Sequence, residues 1–204
     1  MPTRTTKAFA TSSLVAAALL LSGCATSTEA SSAATSQGSS SSAESSEAVF
    51  NGVDSMFVTM MIPHHEQAIM MADQLLAKDN IDPQVIELAE QIKAAQGPEI
   101  ETMKAWLEAW GMPYDDSVSE SMSGMDHGGG MMSEEDMAAL DTATGAEATR
   151  LFLVGMIAHH EGAVQMAEPV LESGENPEVR ELAQQIIDGQ TAEIETMQQL
   201  LGSL

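Results

Sequence analysis

The sequence predicts an all-α protein, a four-helix bundle in which two similar helical hairpins are joined by a long crossover. Three observations support this prediction. A series of motifs occurs twice in the chain, apolar residues recur at steps of three and four within each copy, and an Asp-Pro or Asn-Pro pair marks the same turn in both. Each hairpin can bury its apolar stripe only against the other, which favours a bundle.

The duplication is clearest around two histidine pairs. The matched segments are MMIPHHEQAIMMA (60–72) with GMIAHHEGAVQMA (155–167), IDPQVIELAEQI (81–92) with ENPEVRELAQQI (175–186), and EIETM (99–103) with the same letters at 193–197. We therefore place the helical domain at 50–204, with repeats at about 54–110 and 147–203 and a crossover at 111–146.

Capping residues predict where the helices begin and end. Asp82-Pro83 and Asn176-Pro177 are typical helix starts, because Asp or Asn caps the first turn and proline has no N–H to leave unpaired. Gly111 is typical of a helix end. The four long helices are expected near 54–78, 82–110, 147–172 and 176–202.

Smaller features complete the helix prediction. Pro63 and Pro98 fall inside helical patterns and should bend them locally, but repeat two has alanine at both positions, so helix is still favoured. In the crossover, Ser133 with Asp136 three residues later predicts the start of a short helix.

The N-terminal residues predict export. A basic start with Arg4 and Lys7, followed by the apolar stretch LVAAALLL at 14–21, is typical of a secretory signal peptide covering 1–23. The sequence Leu-Ser-Gly-Cys that ends at Cys24 resembles a bacterial lipobox, so Cys24 is the predicted lipidation site. The Ser- and Ala-rich segment 24–49 is a predicted flexible tether. We expect a lipid-anchored protein on the extracytoplasmic face of a membrane.

Composition excludes several classes of function. The formal net charge is −24, which would repel nucleic acid. One cysteine cannot form an internal disulfide or a multi-thiolate zinc site. The 16 methionines outnumber the seven Lys and Arg residues by more than two to one, so thioether is the abundant soft ligand in this chain.

The methionines and histidines share helix faces. Met61 precedes His64 and His65 by three and four residues, which places the three side chains on one side of a helix, and repeat two copies this spacing. Folding each hairpin brings a further methionine near each cluster. The predicted metal ligands are Met61, His64, His65, Met103, Met156, His159, His160 and Met197.

Thioether with imidazole favours copper. Thioether is a soft ligand that selects Cu(I), and imidazole binds copper in either state, so Cu(I) is favoured and Cu(II) is possible. Gln96 and Gln190 occupy apolar-stripe positions and are expected to orient imidazoles. Glu66 and Glu161 directly follow the histidine pairs and could bind the metal or orient a ring.

The crossover supplies a weaker set of candidate ligands. They lie in a glycine-rich stretch and comprise Met122, Met125, His127, Met131 and Met132. A flexible chelating loop and a tip with incidental methionines are both open interpretations. Met70, Met137 and Met166, by contrast, fit simple core packing at helical spacing.

The motif M-I-x-H-H-x-x-A-x-x-M-A, present twice with HGGGMMSEEDMAAL between the copies, resembles the DUF305 family, which includes copper-binding proteins of the CopM type. The resemblance covers about residues 50–203. It implies a ferritin-like bundle, export, and copper binding linked to copper tolerance. The family's ligands would correspond to Met61, His64, His65, Met156, His159 and His160, and less directly to Met103 and Met197.

We therefore expect a membrane-tethered copper-binding protein that sequesters copper or hands it on, and not an enzyme. A ferritin-like metal-dependent oxidase is an alternative, although no Glu-x-x-His motif occurs in the sequence. The other alternative is a structural or interaction module at the cell surface, with the histidines hydrogen-bonded in the core. The oligomeric state stays open.

Overall fold

The computed structural model describes residues 49–115 and 129–204. These residues form five helices and no strand, which confirms the all-α prediction. The helices are α1 (Gly52–Leu76), α2 (Pro83–Ala109), α3 (Glu134–Thr142), α4 (Gly145–Ser173) and α5 (Pro177–Ser203). Several predicted features lie outside the described residues. They are the signal peptide 1–23, all of the tether 24–49 except residue 49, the lipidation site Cys24, and the candidate ligands Met122, Met125 and His127.

The helix starts follow the capping chemistry of the sequence. The Asp82 carboxylate accepts the Gln84 N–H at 2.8 Å before α2, and the Asn176 side chain caps α5 with proline at the next position. Ser133 likewise caps the short helix α3. The chain leaves α2 through Gly111, whose φ of +73° lies in the left-handed region that favours glycine.

A buried carboxylate joins the two hairpins at one end of the bundle. Asp54, in the first turn of α1, is fully buried, and its Oδ2 accepts the backbone N–H groups of Asn51, Glu175 and Asn176 at 2.9, 2.9 and 3.1 Å. The Asn51 side chain also donates to the Ser173 carbonyl at 2.7 Å. The start of α1 therefore lies beside the end of α4, so these two helices run antiparallel.

The core consists of two apolar clusters with a polar layer between them. One cluster contains Met61 and Met103, and the other contains Met156 and Met197. In each of the four long helices the two clusters are separated by buried polar residues near the middle of the helix, namely His64, His65, Gln67, Gln96, His159, His160 and Gln190. Within the described ranges, no helix has the length and apolarity to cross a membrane.

Candidate metal centre

The histidines of the two repeats meet at the crossing of α1 and α4. The ring centroids of His64 and His159 are 3.7 Å apart, with 36° between the ring planes. Both side chains are about 1% exposed. The two halves of the duplication therefore converge on one place in the core. With the ring faces in contact, an ion would have to bind at the ring edges.

The second histidine of each pair is held by a glutamate. The Nε2–H of His65 donates to Glu99 Oε2 at 2.7 Å, and the Nε2–H of His160 donates to Glu193 Oε2 at 2.6 Å. A carboxylate on one ring nitrogen fixes the orientation of an imidazole and leaves the other nitrogen for a ligand, as around many metal ions. The duplication thus extends to the hydrogen bonds that orient the rings.

This pairing corrects several expectations. Gln96 and Gln190 are buried, but their Oε1 atoms have no hydrogen-bond partner and do not hold the imidazoles. Glu66 pairs instead with Lys104 at 2.8 Å, and Glu161 is exposed. Sequence reasoning missed Glu99 and Glu193, although both begin the repeated motif EIETM and could have been found from it.

The end of the crossover lies directly over the histidine pair. The Nε2–H of His64 donates to the Gly129 carbonyl at 2.8 Å. A Cβ on Gly162 of α4 would lie 1.7 Å from that same carbonyl oxygen, and a Cβ on Gly130 would lie 1.9 Å from the Ala158 carbonyl. Backbone can approach backbone this closely only because both residues are glycine.

The crossover is also attached to α1. The Gln67 side-chain amide donates to the Met132 carbonyl at 2.9 Å and accepts the Met132 N–H at 2.8 Å. The Met132 thioether packs on α4, where a Cβ on Gly155 would lie 2.6 Å from its sulfur. Gln67 and Gly162 occupy equivalent repeat positions. At this position the first repeat binds the crossover through the Gln67 side chain, whereas the second repeat has Gly162, which leaves space for the crossover backbone.

Burial keeps the two central histidines neutral. Removal from water is the main reason that the pKa of His64 is lowered to about 3. The charges of His65 and His160 act in the same direction, and the hydrogen bond to Gly129 opposes them. Burial also holds the pKa of His159 well below its ordinary value, with His64 the next cause, and a weak interaction with the His64 backbone opposes this only slightly. A neutral imidazole keeps a lone pair for a metal ion at physiological pH.

Several buried ring nitrogens have no hydrogen bond of good geometry. They are both nitrogens of His159 and the Nδ1 atoms of His64, His65 and His160. Buried polar atoms are normally paired, so this group requires a partner. Among the described residues no three His, Cys, Asp or Glu side chains are placed to hold a metal ion together. The methionines of the two bordering clusters are further soft ligands next to these rings.

The predicted methionine ligands differ in their surroundings. Met61, Met103, Met156 and Met197 are fully buried in the two clusters that border the histidine layer. Met131 and Met132 are partly buried at the end of the crossover. The prediction that Met70 belongs to the core is wrong, because its side chain is 50% exposed. Met137 and Met166 pack against the edges of the apolar clusters.

The family model for a domain of unknown function, DUF305, matches residues 54–201. The chain belongs to the DUF305 family. A DUF305 fragment from Deinococcus radiodurans has 37% identity and a TM-score of 0.67, and the match covers 76% of this chain and 98% of that one. No curated protein matches the sequence.

Two further solved proteins are similar to a comparable share of the chain. CopM in its Cu(I)-bound form has 35% identity and a TM-score of 0.59, and in its Cu(II)-bound form 38% and 0.63; each match covers 74% of this chain and 96% of the CopM chain. A candidate secreted DUF305 protein from Streptomyces coelicolor has 30% identity and a TM-score of 0.65, with 74% of this chain and 91% of that chain covered.

Proposed function

We propose that this protein binds copper in the core of its bundle, at a centre formed by the histidines and methionines of both repeats. The observation that carries the proposal is the contact of His64 with His159, two neutral rings whose free nitrogens lie between methionine-containing clusters. CopM, which shares the fold, has been solved with Cu(I), Cu(II) and silver bound.

The donor set favours Cu(I) over other ions. Neutral imidazole and thioether are soft to intermediate ligands, and methionine sulfur gives no advantage to Mg²⁺ or Ca²⁺, which take oxygen ligands. A buried site of neutral ligands also adds no negative charge that would have to be desolvated without the metal. Cu(II) remains compatible with the imidazoles.

We propose further that the protein sequesters copper or hands it on and is not an enzyme. The His64 and His159 rings lie under the end of the crossover, which the contacts of Gly129 and Gln67 hold in place, so an ion bound between them is covered by protein. Such a site suits storage and exchange. The predicted signal peptide and the lipobox at Cys24 support export and tethering to a membrane, where copper would be met outside the cytoplasm.

Competition with a chromogenic Cu(I) chelator tests the proposal on the metal-free protein. We expect binding tighter than micromolar, and loss of most of it in the variant H64A/H65A/H159A/H160A. The variant M61L/M156L should bind about tenfold more weakly, because it removes thioether without changing the fold. Met70→Leu is the matched control, since this methionine is half exposed, and should leave the affinity unchanged.

The alternatives give different results in companion assays. An oxidase would consume dioxygen when iron is bound, and we expect no such consumption. A structural module with satisfied histidines would show no rise in melting temperature on adding Cu(I), whereas a ligand that binds only the folded state must raise it. Wild-type protein with no Cu(I) binding tighter than micromolar would refute the proposal.

A further inference from the structure

A methionine-lined groove lies between the start of α1 and the end of α4. Its volume is about 810 Å³, and its lining includes Met56 and Met60 from α1 and Met166 from α4. Met56 and Met60 are four residues apart, which places them on one side of their helix. None of these three methionines belongs to the copper centre proposed above.

The groove continues the cleft that holds the end of the crossover. Met60 and Gln67 are seven residues apart on one strip of α1, and Gly162 and Met166 are four residues apart on one strip of α4. Gln67 and Gly162 contact the crossover, whereas the two methionines line the groove. Met60 precedes His64 by one helical turn, a rise of about 6 Å, so the groove adjoins the covered histidine pair.

Thioether is the ligand that this groove offers. None of the described residues that line it is charged, and Asn51 is the polar side chain among them. The Asn51 amide is already used, because its oxygen caps α1 and its nitrogen donates to the Ser173 carbonyl. Such a lining has no ligand set for a hard cation, which takes several oxygens, whereas thioether selects soft ions such as Cu(I).

Packing does not account for the two methionines of α1. Met56 is 69% exposed, so its side chain adds little buried apolar area, and Met60 belongs to neither apolar cluster. The second repeat has Leu151 and Gly155 at the equivalent positions, so the duplicated fold does not require methionine there. Their thioethers can be reached from solvent, and the formal net charge of −24 attracts cations to the surface.

We infer that the groove is a second metal site, at which the thioethers of Met56, Met60 and Met166 bind a soft monovalent ion, Cu(I) or Ag(I). Methionine has a flexible, unbranched side chain, so sulfur atoms from two helices can converge on one ion. The site lacks imidazole and is open to solvent, so it should bind more weakly than the buried centre. The inference does not depend on that centre, because the two share no ligand.

Nuclear magnetic resonance locates the ion directly. We propose to label the methionine methyl groups of the metal-free protein with ¹³C and to titrate it with Ag(I), which stays in one oxidation state in air. The methyl signals of Met56, Met60 and Met166 should shift together, while those of Met70 and Met112 should not. The last two are 50% and 43% exposed and do not line the groove. Equal shifts at all five would overturn the inference, by showing that any exposed thioether binds Ag(I).

Isothermal titration calorimetry with Ag(I) measures the affinity. We expect a tight class of binding and a weaker one, and M56L/M60L/M166L should bind at least about tenfold more weakly in the weaker class alone. Leucine keeps the apolar volume of methionine, so this variant should fold. The matched control M70L/M112L should behave as wild type. An unchanged weaker class in M56L/M60L/M166L would overturn the inference and leave the groove as an apolar surface.

The copper proposal and this inference can fail separately. The variant H64L/H159L should lose the tight class but keep the weaker class and the three methyl shifts, because neither histidine lines the groove. If the methyl shifts disappeared with the histidines, the methionines would only sense an ion at the centre and the inference would be wrong. If wild type showed the groove class alone, the copper centre would be refuted and the groove site would stand.

Discussion

Acid should destabilise the metal-free protein through its two central histidines. Burial lowers the pKa of His64 from 6.5 to about 3, and it lowers that of His159 well below the ordinary value. Above pH 6.5 neither the folded nor the unfolded state gains a proton at these rings. Below pH 6.5 these two imidazoles bind protons in the unfolded chain but not in the folded protein. The free energy of unfolding therefore falls as the pH falls from 6.5 towards 3.

The size of the loss can be worked out for pH 5. The unfolded imidazole is then 1.5 units below its pKa of 6.5, and each unit corresponds to about 1.4 kcal/mol, so His64 alone removes about 2 kcal/mol relative to pH 7. The result depends little on the folded pKa, provided that it lies below pH 5. Burial also lowers the pKa of His159, so that ring adds to the loss in the same direction.

Urea unfolding followed by circular dichroism at pH 7 and pH 5 measures this loss. Other groups also titrate in the window, so the informative comparison is with the variant H64L/H159L, which keeps those groups and lacks the two central rings. The fall in unfolding free energy from pH 7 to pH 5 should be smaller in the variant by at least the roughly 2 kcal/mol worked out for His64. Equal falls in the two proteins would refute the argument that burial keeps both rings neutral.

Two substitutions test how the bundle is held together. Gly162→Ala should push the Gly129 carbonyl away from His64, lower the free energy of unfolding by about 1–3 kcal/mol and weaken Cu(I) binding in the chelator assay. The control is Gly189→Ala, which should be neutral or stabilising because nothing lies within 4 Å of the new Cβ. Asp54→Ala leaves three backbone N–H donors without an acceptor and should lower the free energy of unfolding, measured in urea, by about 3 kcal/mol or more. Asp73 is exposed, so Asp73→Ala should lower it by at most about 1 kcal/mol. Equal effects within either pair would contradict the contacts described.

Local signals in the sequence were sufficient for the helices. Asp82, Asn176 and Ser133 begin the helices as predicted, because a capping side chain acts on backbone N–H groups two or three residues away. The start of α1 was placed two residues late, since the cap at Asn51 lies just before the repeat. These interactions are short in sequence and can be read without knowing the fold.

The partners of the histidines required the structure. Counting equal rise along a hairpin places residues on opposite helices to within about a turn. That precision cannot separate Gln96 from Glu99, which lie three residues apart. The prediction that Gln96 orients an imidazole is therefore wrong, and Glu99 does so instead. The docking of the crossover was also missed, although Gly155 and Gly162 gave a signal. Glycine inside a helix costs roughly 0.5–1 kcal/mol, and here it replaces Met60 and Gln67 of the first repeat.

The sequence by itself determined the duplication, the four long helices and the clustering of histidine and methionine near the middle of each repeat. These follow from helical periodicity, which is local and assigns each residue to a face. Only the tertiary structure decided that His64 contacts His159, that glutamates orient the outer rings and that Gly129 covers the pair. Those contacts join residues from 33 to 95 positions apart, and the packing of the whole core sets the rotation of one hairpin against the other.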